Sequence, residues 1–337
     1  MTKMYKLMFM TILIMSTMIS ISAYTWLGMW IGLEINLLSI IPIIMNKNIL
    51  SSESSIKYFI TQALASTLIM MSIIMMMWKM NFTSTIFNSE IMLIMNSGLL
   101  LKMGMAPLHF WFPEVLEGLN WNNCMIMLTW QKIAPMMLYM YNTELNTFNY
   151  AIIMSSMIIS SMMSFNQISM RKLMAFSSIN HMGWMMAAMM TEKSIWILYF
   201  IIYAMITINI SLTMKNVYYL NQLFMMMNES FSTKIMFMLN FLSLSGIPPF
   251  LGFLPKWLVI QTMIEMNMMF LSIIMILFTL IMIFVYMRIS MSTLIMKTNQ
   301  INWKININNK INIMFTSMLN FFMIFSLILM TIVLNEI

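Results

Sequence analysis

Residues 98–118 read GLLLKMGMAPLHFWFPEVLEG, and this stretch decides how the chain folds. It begins as an apolar run fit for a membrane, then places Lys102 inside that run and Pro107 five residues later. Proline removes a backbone donor and clashes with the preceding turn, so a helix here must break or kink. In lipid, a broken backbone persists only where protein or a water-filled cavity satisfies the freed groups. A lysine beside such a break is costly to bury, which marks it as a candidate functional residue.

Residues 246–257, GIPPFLGFLPKW, repeat the construction. Gly104, Pro107 and Pro113 are spaced as Gly246, Pro249 and Pro255 are, and each second proline precedes an ionisable residue, Glu114 or Lys256. Paired Pro/Gly interruptions in corresponding halves of a hydrophobic chain point to the ion pathway of a transporter with internal repeats.

Composition sets the surroundings. Of the 337 residues, 61% are hydrophobic and 8% charged, with mean hydropathy +0.86. Soluble domains carry roughly 25% charged residues, so the chain reads as an integral membrane protein. Its net charge of +7 does not indicate nucleic-acid binding, because most basic residues fall between apolar runs. A single cysteine, Cys124, excludes an internal disulfide framework and a cysteine-ligated iron–sulfur cluster. Met4 onward, preceded by Lys3, is expected to be a retained first helix, since no small-residue cleavage site follows. Methionine occurs 54 times and aspartate never, a bias that fits an AT-rich mitochondrial genome with a second methionine codon. The inner mitochondrial membrane is the expected location.

A membrane span needs about 20 apolar residues. On that measure eleven are expected: 4–23, 25–45, 56–78, 86–106 continuing brokenly to 117, 122–141, 147–165, 172–190, 195–214, 234–263, 268–293 and 312–334. The longest polar connections fall near 215–233 and 297–311. Alternating sides puts twelve basic residues with the N-terminus and only Lys79 and Lys193 opposite; Lys102, Lys132 and Lys256 lie within spans. That asymmetry follows the positive-inside rule, with the N-terminus in the matrix and the C-terminus in the intermembrane space. The expected fold is an all-α membrane protein of about eleven transmembrane helices. It is built as inverted five-helix repeats (1–145 and 146–294) with two broken helices, near 104–107 and 246–249, and a loop and final helix over 295–337.

Glu34 and Lys132 lie near the middle of their spans, so with Lys102 and Lys256 they make four membrane-embedded charges. At about 2.5–3.5 kcal/mol each, four cost on the order of 10–14 kcal/mol unless paired or hydrated. Burial penalises the charged form and an opposite charge favours it. A group pulled both ways changes protonation when a neighbour moves, which is what a proton relay requires. Static ion pairs that pin helices, or a Lys256 snorkelling to the interface, are the plainer alternatives. His109 and His181 are weaker candidates for proton transfer, each also readable as a hydrogen-bonded packing residue, and Glu114 and Glu117 read as a solvated helix end. Neither a haem ligand pair, a GxGxxG, a P-loop nor a clustered metal motif occurs, so no cofactor is expected on this chain.

Five segments carry a resemblance: LLLKMGMAPLHFWFPEV, TWQKIAP, RKLMAFSSINHMGWM, LNFLSLSGIPPFLGFLPKW and GLEINLLSIIP. Together they resemble, over essentially the whole chain, the antiporter-like subunit 2 family of mitochondrial NADH:ubiquinone oxidoreductase, respiratory complex I, of an insect-like type. Members of the antiporter-like family have fourteen helices, and the animal form resembles one lacking three at the N-terminus. The resemblance implies that Glu34 pairs with Lys102, that Lys132 bridges centrally, and that Lys256 ends the series. Protons would cross from matrix to intermembrane space, driven by quinone reduction in other subunits. NADH, flavin, iron–sulfur clusters and ubiquinone would belong to those subunits. Expected partners are neighbouring antiporter-like and small membrane-arm subunits and inner-membrane lipids, with no nucleic acid. A self-contained cation/proton antiporter, or a structural connector whose charges only hold the arm together, are the competing readings.

Overall fold

A computed structural model describes residues 2–46, 48–79, 86–143, 147–215, 217–227 and 231–295. The described residues are all-helical apart from loops and one isolated bridge between Ser169 and Tyr219. They fall into two compact units that divide between Ile152 and Ile153. The span expected over 312–334 and the loop over 297–311 lie outside the described residues.

The first unit contains α1 (Thr2–Ser22), α2 (Trp26–Ile44), α3 (Ile49–Lys79), α4 (Ile86–Met103), α5 (Trp111–Gly118), α6 (Trp121–Leu128) and α7 (Trp130–Met140). Helix α1 packs on α2, α2 on α3, and α3 on both α4 and α5, while α7 packs against α4, α1 and α2. The α2 N-terminus is capped by Thr25, whose hydroxyl accepts from the Gly28 amide at 3.2 Å. Helix α3 starts seven residues earlier than its apolar run. The serines of the SSESS stretch bond to the preceding turn, Ser51 to Asn48 O and Ser55 to Ser52 O at 2.7 Å each, so their hydroxyls are satisfied within the helix.

The segment expected as one helix over 122–141 is interrupted at Thr129. Pro135 has no amide to offer the Gln131 carbonyl, and the Lys132 amide bonds Thr129 O at 3.3 Å, a tightened three-residue turn. Helix α8 (Thr147–Ser164) follows.

The second unit holds α9 (Met170–Thr191), α10 (Lys193–Thr213), α11 (Leu220–Met227), α12 (Phe231–Ser245), α13 (Phe253–Glu265) and α14 (Met269–Ile295). Helix α9 is buried almost throughout, from Leu173 to Met189, and packs on α10, α13 and α14. Helix α11 forms within the polar connection expected near 215–233. Gln222 supplies the reason: its Oε1 accepts from the Tyr218 and Tyr219 amides at 2.8 and 3.2 Å, closing the helix start. By length and apolarity, α1, α2, α3, α10 and α14 can each cross a membrane.

Both expected breaks are present with the same backbone. Helix α4 ends at Met103 and α12 at Ser245; Gly104 follows with φ +70° and Gly246 with φ +75°, and the bonds before Pro107 and Pro249 are cis. Positive φ is the left-handed conformation that glycine adopts without steric cost. At the first break the Gly104 amide bonds Leu101 O and the Met105 amide bonds Leu100 O, both at 3.1 Å, the hydrogen-bond pair of a Schellman helix end. Side-chain donors add to this: Leu101 O accepts a second bond from Trp111 Nε1 at 3.1 Å, and Lys102 O accepts from Gln62 Nε2 at 3.3 Å. At the second break the Gly246 amide bonds Ser243 O at 3.2 Å.

Candidate functional site

The first unit gathers three of the four membrane-embedded charges. Lys102 sits in the last turn of α4, where the negative end of the helix dipole favours a cation. Glu34 reaches towards it from α2, with Oε1 4.0 Å from Lys102 Nζ. That separation is an ion pair longer than a direct hydrogen bond. Lys102 and Lys132, from α4 and α7, line one cavity of about 20 Å³, enough for a water molecule. Asn36, Tyr58, Gln62 and Gln131 contribute its other polar groups. They are linked: Tyr58 donates to Gln131 Oε1 at 3.3 Å, and Gln131 Nε2 donates to Asn36 Oδ1 at 3.0 Å. Phe112, at the start of α5, closes another wall, and Lys132 Nζ stands 5.1 Å from its ring centroid.

In the second unit Lys256 is buried on α13, with its head turned onto the break. Its Nζ donates to Ser245 O, the last carbonyl of α12, at 2.7 Å, and lies 6.0 Å from the Trp184 ring centroid. His181 on α9 meets Tyr199 on α10, Nδ1 to hydroxyl 2.9 Å, and packs on Tyr203. Asn209 Nδ2 donates to Asn240 Oδ1 at 2.8 Å, joining α10 to α12.

Lys102 and Lys132 are therefore neighbours around one cavity, with Glu34 paired to Lys102 from outside its lining, whereas His109 lies within the break itself. The His109 ring is 3.3 Å from Pro107 O through Nδ1 and stacks near Phe110. His181 engages a tyrosine, and beside it Asn180 Nδ2 donates to the Ser160 hydroxyl on α8 at 3.3 Å. Glu114 is exposed and ion-paired with Lys57 at 3.0 Å, which also holds Glu53 at 3.1 Å. Among the described residues no group of three His, Cys, Asp or Glu could hold a metal ion.

The polar cavity wall escaped the sequence reading, although signals existed. Gln131 adjoins Lys132, Asn36 is two residues from Glu34, and Tyr58 and Gln62 stand one helical turn apart on the same face. Phe112 gives no such signal, since its place under Lys132 follows from how α5 packs.

Buried lysines beside broken membrane helices define an antiporter-like class of membrane protein. Residues 23–283 match the family described as NADH:quinone oxidoreductase/Mrp antiporter, TM, and the chain belongs to it. It is 49% identical over 310 residues to NADH-ubiquinone oxidoreductase chain 2 of Anopheles gambiae, covering 90% of this chain and 91% of that one. The same-named protein of Aedes aegypti is 46% identical over 332 residues, 96% of each chain. A chain of the solved respiratory complex I of Thermus thermophilus with bound aureothin shares the fold. Its TM-score is 0.84 at 17% identity, over 96% of this chain and 78% of that one.

Proposed function

We propose that this chain is a core membrane-arm subunit of an H+-translocating NADH:ubiquinone oxidoreductase in the mitochondrial inner membrane. In this reading it moves protons from matrix to intermembrane space through Glu34, Lys102, Lys132 and Lys256, with His109 and His181 in secondary roles. The observation that carries the assignment is the 49% identity to chain 2 over 90% of the chain. Support for the relay comes from Lys102 and Lys132 lining one water-sized cavity while Glu34 pairs with Lys102 from its other side. Electrons pass through NADH, flavin, iron–sulfur clusters and ubiquinone on other subunits, and this chain performs no bond chemistry of its own.

The mechanism follows from charge. While Glu34 faces Lys102, the lysine keeps its counter-ion and its proton. When Glu34 turns away, a buried ammonium is left without compensation, and the proton moves through the cavity towards Lys132. The polar wall of Asn36, Tyr58, Gln62 and Gln131 solvates the charge in passage. Glu34 also borders an open groove of about 580 Å³ between α2 and α3, lined by Trp30, Met70, Met71 and Ile74. A carboxylate facing lipid tails is costly, so in this reading a neighbouring subunit covers the groove.

Eleven crossings, inverted repeats over 1–145 and 146–294 with 295–337 appended, and a matrix N-terminus complete the reading. They are supported by the matching backbone of the two breaks and the twelve-to-two distribution of basic residues. A self-contained antiporter draws on the same family match. The two separate on a native gel of gently solubilised inner membranes: co-migration with a large NADH-oxidising band is expected, and migration alone would overturn the subunit assignment. Lys132→Met should assemble and lose proton movement. Lost assembly with normal proton movement in the residual complex would instead make the charges a structural connector.

A further inference from the structure

We infer that Phe112 is a positioning residue for Lys132, its ring face holding the lysine head at the cavity shared with Lys102. The inference rests on the relay reading above. Three observations meet at this ring. Lys132 Nζ lies 5.1 Å from the ring centroid, inside the distance at which a cation is attracted to an aromatic face. Phe112 and Lys132 are each 2% exposed, and the attraction strengthens where water is removed. The ring also lines the cavity along with both lysines.

Its orientation is fixed from behind. A Cβ at Gly104 would fall 3.0 and 3.1 Å from Phe112 Cβ and Cγ, and 3.1 Å from the Trp111 ring. Gly104 thus provides the room that lets Phe112 stand under Lys132, besides supplying the positive φ of the break. Trp111 meets Phe112 edge-on, with centroids 5.4 Å apart and planes at 82°, and the Phe112 amide bonds His109 O at 2.9 Å. The ring therefore travels with the second half of the broken helix. Any shift of α5 relative to α7 changes how firmly the Lys132 head is held, so the break and the central lysine act as one device.

The test compares Phe112→Leu, which fills the space without an aromatic face, with Phe112→Tyr, which keeps the face. Proton movement in inner-membrane vesicles is normalised to NADH oxidation by ferricyanide, so that loss of assembled complex alone leaves the value unchanged. Phe112→Leu should lower it on the order of five- to tenfold, and Phe112→Tyr should return it near the wild-type value. Normal proton movement in Phe112→Leu, or equal loss in both variants, would overturn the proposal. Lys132→Met run alongside separates the two readings. If it moves protons normally, the relay itself falls; if it is inactive while Phe112→Leu is normal, only the role of Phe112 falls. Should Phe112→Leu not assemble, Phe112→Met is read against the same outcomes.

Discussion

Gly246→Ala should disturb Lys256 rather than merely strain the backbone. Gly246 has φ +75°, and an L side chain in the left-handed region costs about 1–2 kcal/mol. The new Cβ would also stand 3.1 Å from Lys256 Nζ, 3.0 Å from its Cδ, and 3.0 Å from the Gly252 carbonyl oxygen. The lysine head is the part that can yield, and yielding draws it off its 2.7 Å bond to Ser245 O. A hydrogen bond to a charged group is worth about 1.5–3 kcal/mol. With that bond fully lost, the combined penalty is about 2.5–5 kcal/mol, at the upper end for single substitutions.

A double-mutant cycle with Lys256→Ala isolates the second part, because without the lysine Gly246→Ala has only the backbone to strain. The assay is the rate at which the chain is released from the complex at a fixed elevated temperature, followed on native gels. Gly246→Ala should accelerate release about 10- to 150-fold more in the wild-type background than beside Lys256→Ala, which corresponds to about 1.5–3 kcal/mol. An equal acceleration in both backgrounds would refute the claim that Gly246 guards the lysine–carbonyl bond.

Two further outcomes follow from the same structure. Glu34→Gln leaves the Lys102 charge without its partner; since Glu34 is 27% exposed, the cost should fall below the roughly 3–5 kcal/mol of a fully buried broken pair, and Glu34→Gln/Lys102→Met should regain assembly on native gels without regaining proton movement. Gln222→Ala removes the acceptor for the Tyr218 and Tyr219 amides and should cost about 0.5–2 kcal/mol of α11 stability, read as faster local amide exchange, with proton movement per assembled complex unchanged.

The breaks were legible because their cause is local. A glycine three residues before a proline in an apolar run ends a helix whatever surrounds it, and α4 and α12 stop immediately before Gly104 and Gly246. The buried charges were legible for a similar reason, since a charged residue in the middle of an apolar run is conspicuous against its neighbours. The partners of those residues were not. Gln62 donates to the Lys102 carbonyl across forty residues of chain, and Tyr58 reaches Gln131 across seventy-three. Nothing in the local pattern records which distant side chain fills a gap. The interruption at Thr129 lies between these cases: 122–141 reads as one span, and the local cue, Pro135, lies six residues downstream of the point where the turn tightens around the Lys132 amide.

The two breaks share a backbone and differ in what holds it. At the first, Trp111 adds a second donor to Leu101 O and Gln62 binds the freed carbonyl of Lys102, both neutral donors. The lysine there precedes the break, so its head is free to face Glu34 and the cavity. Gain or loss of its proton leaves the cap on α4 intact. At the second, the lysine follows the break and is itself the donor to Ser245 O. A charged donor bonds about twice as strongly as a neutral one, so loss of the proton from Lys256 weakens the cap on α12. In the relay reading, then, the first break is a rigid frame in which charge moves, whereas the second couples charge to the shape of its helix. Replacing Trp111 and Gln62 should loosen the first break whether or not Lys102 is present, whereas at the second break Lys256→Ala should have that effect by itself.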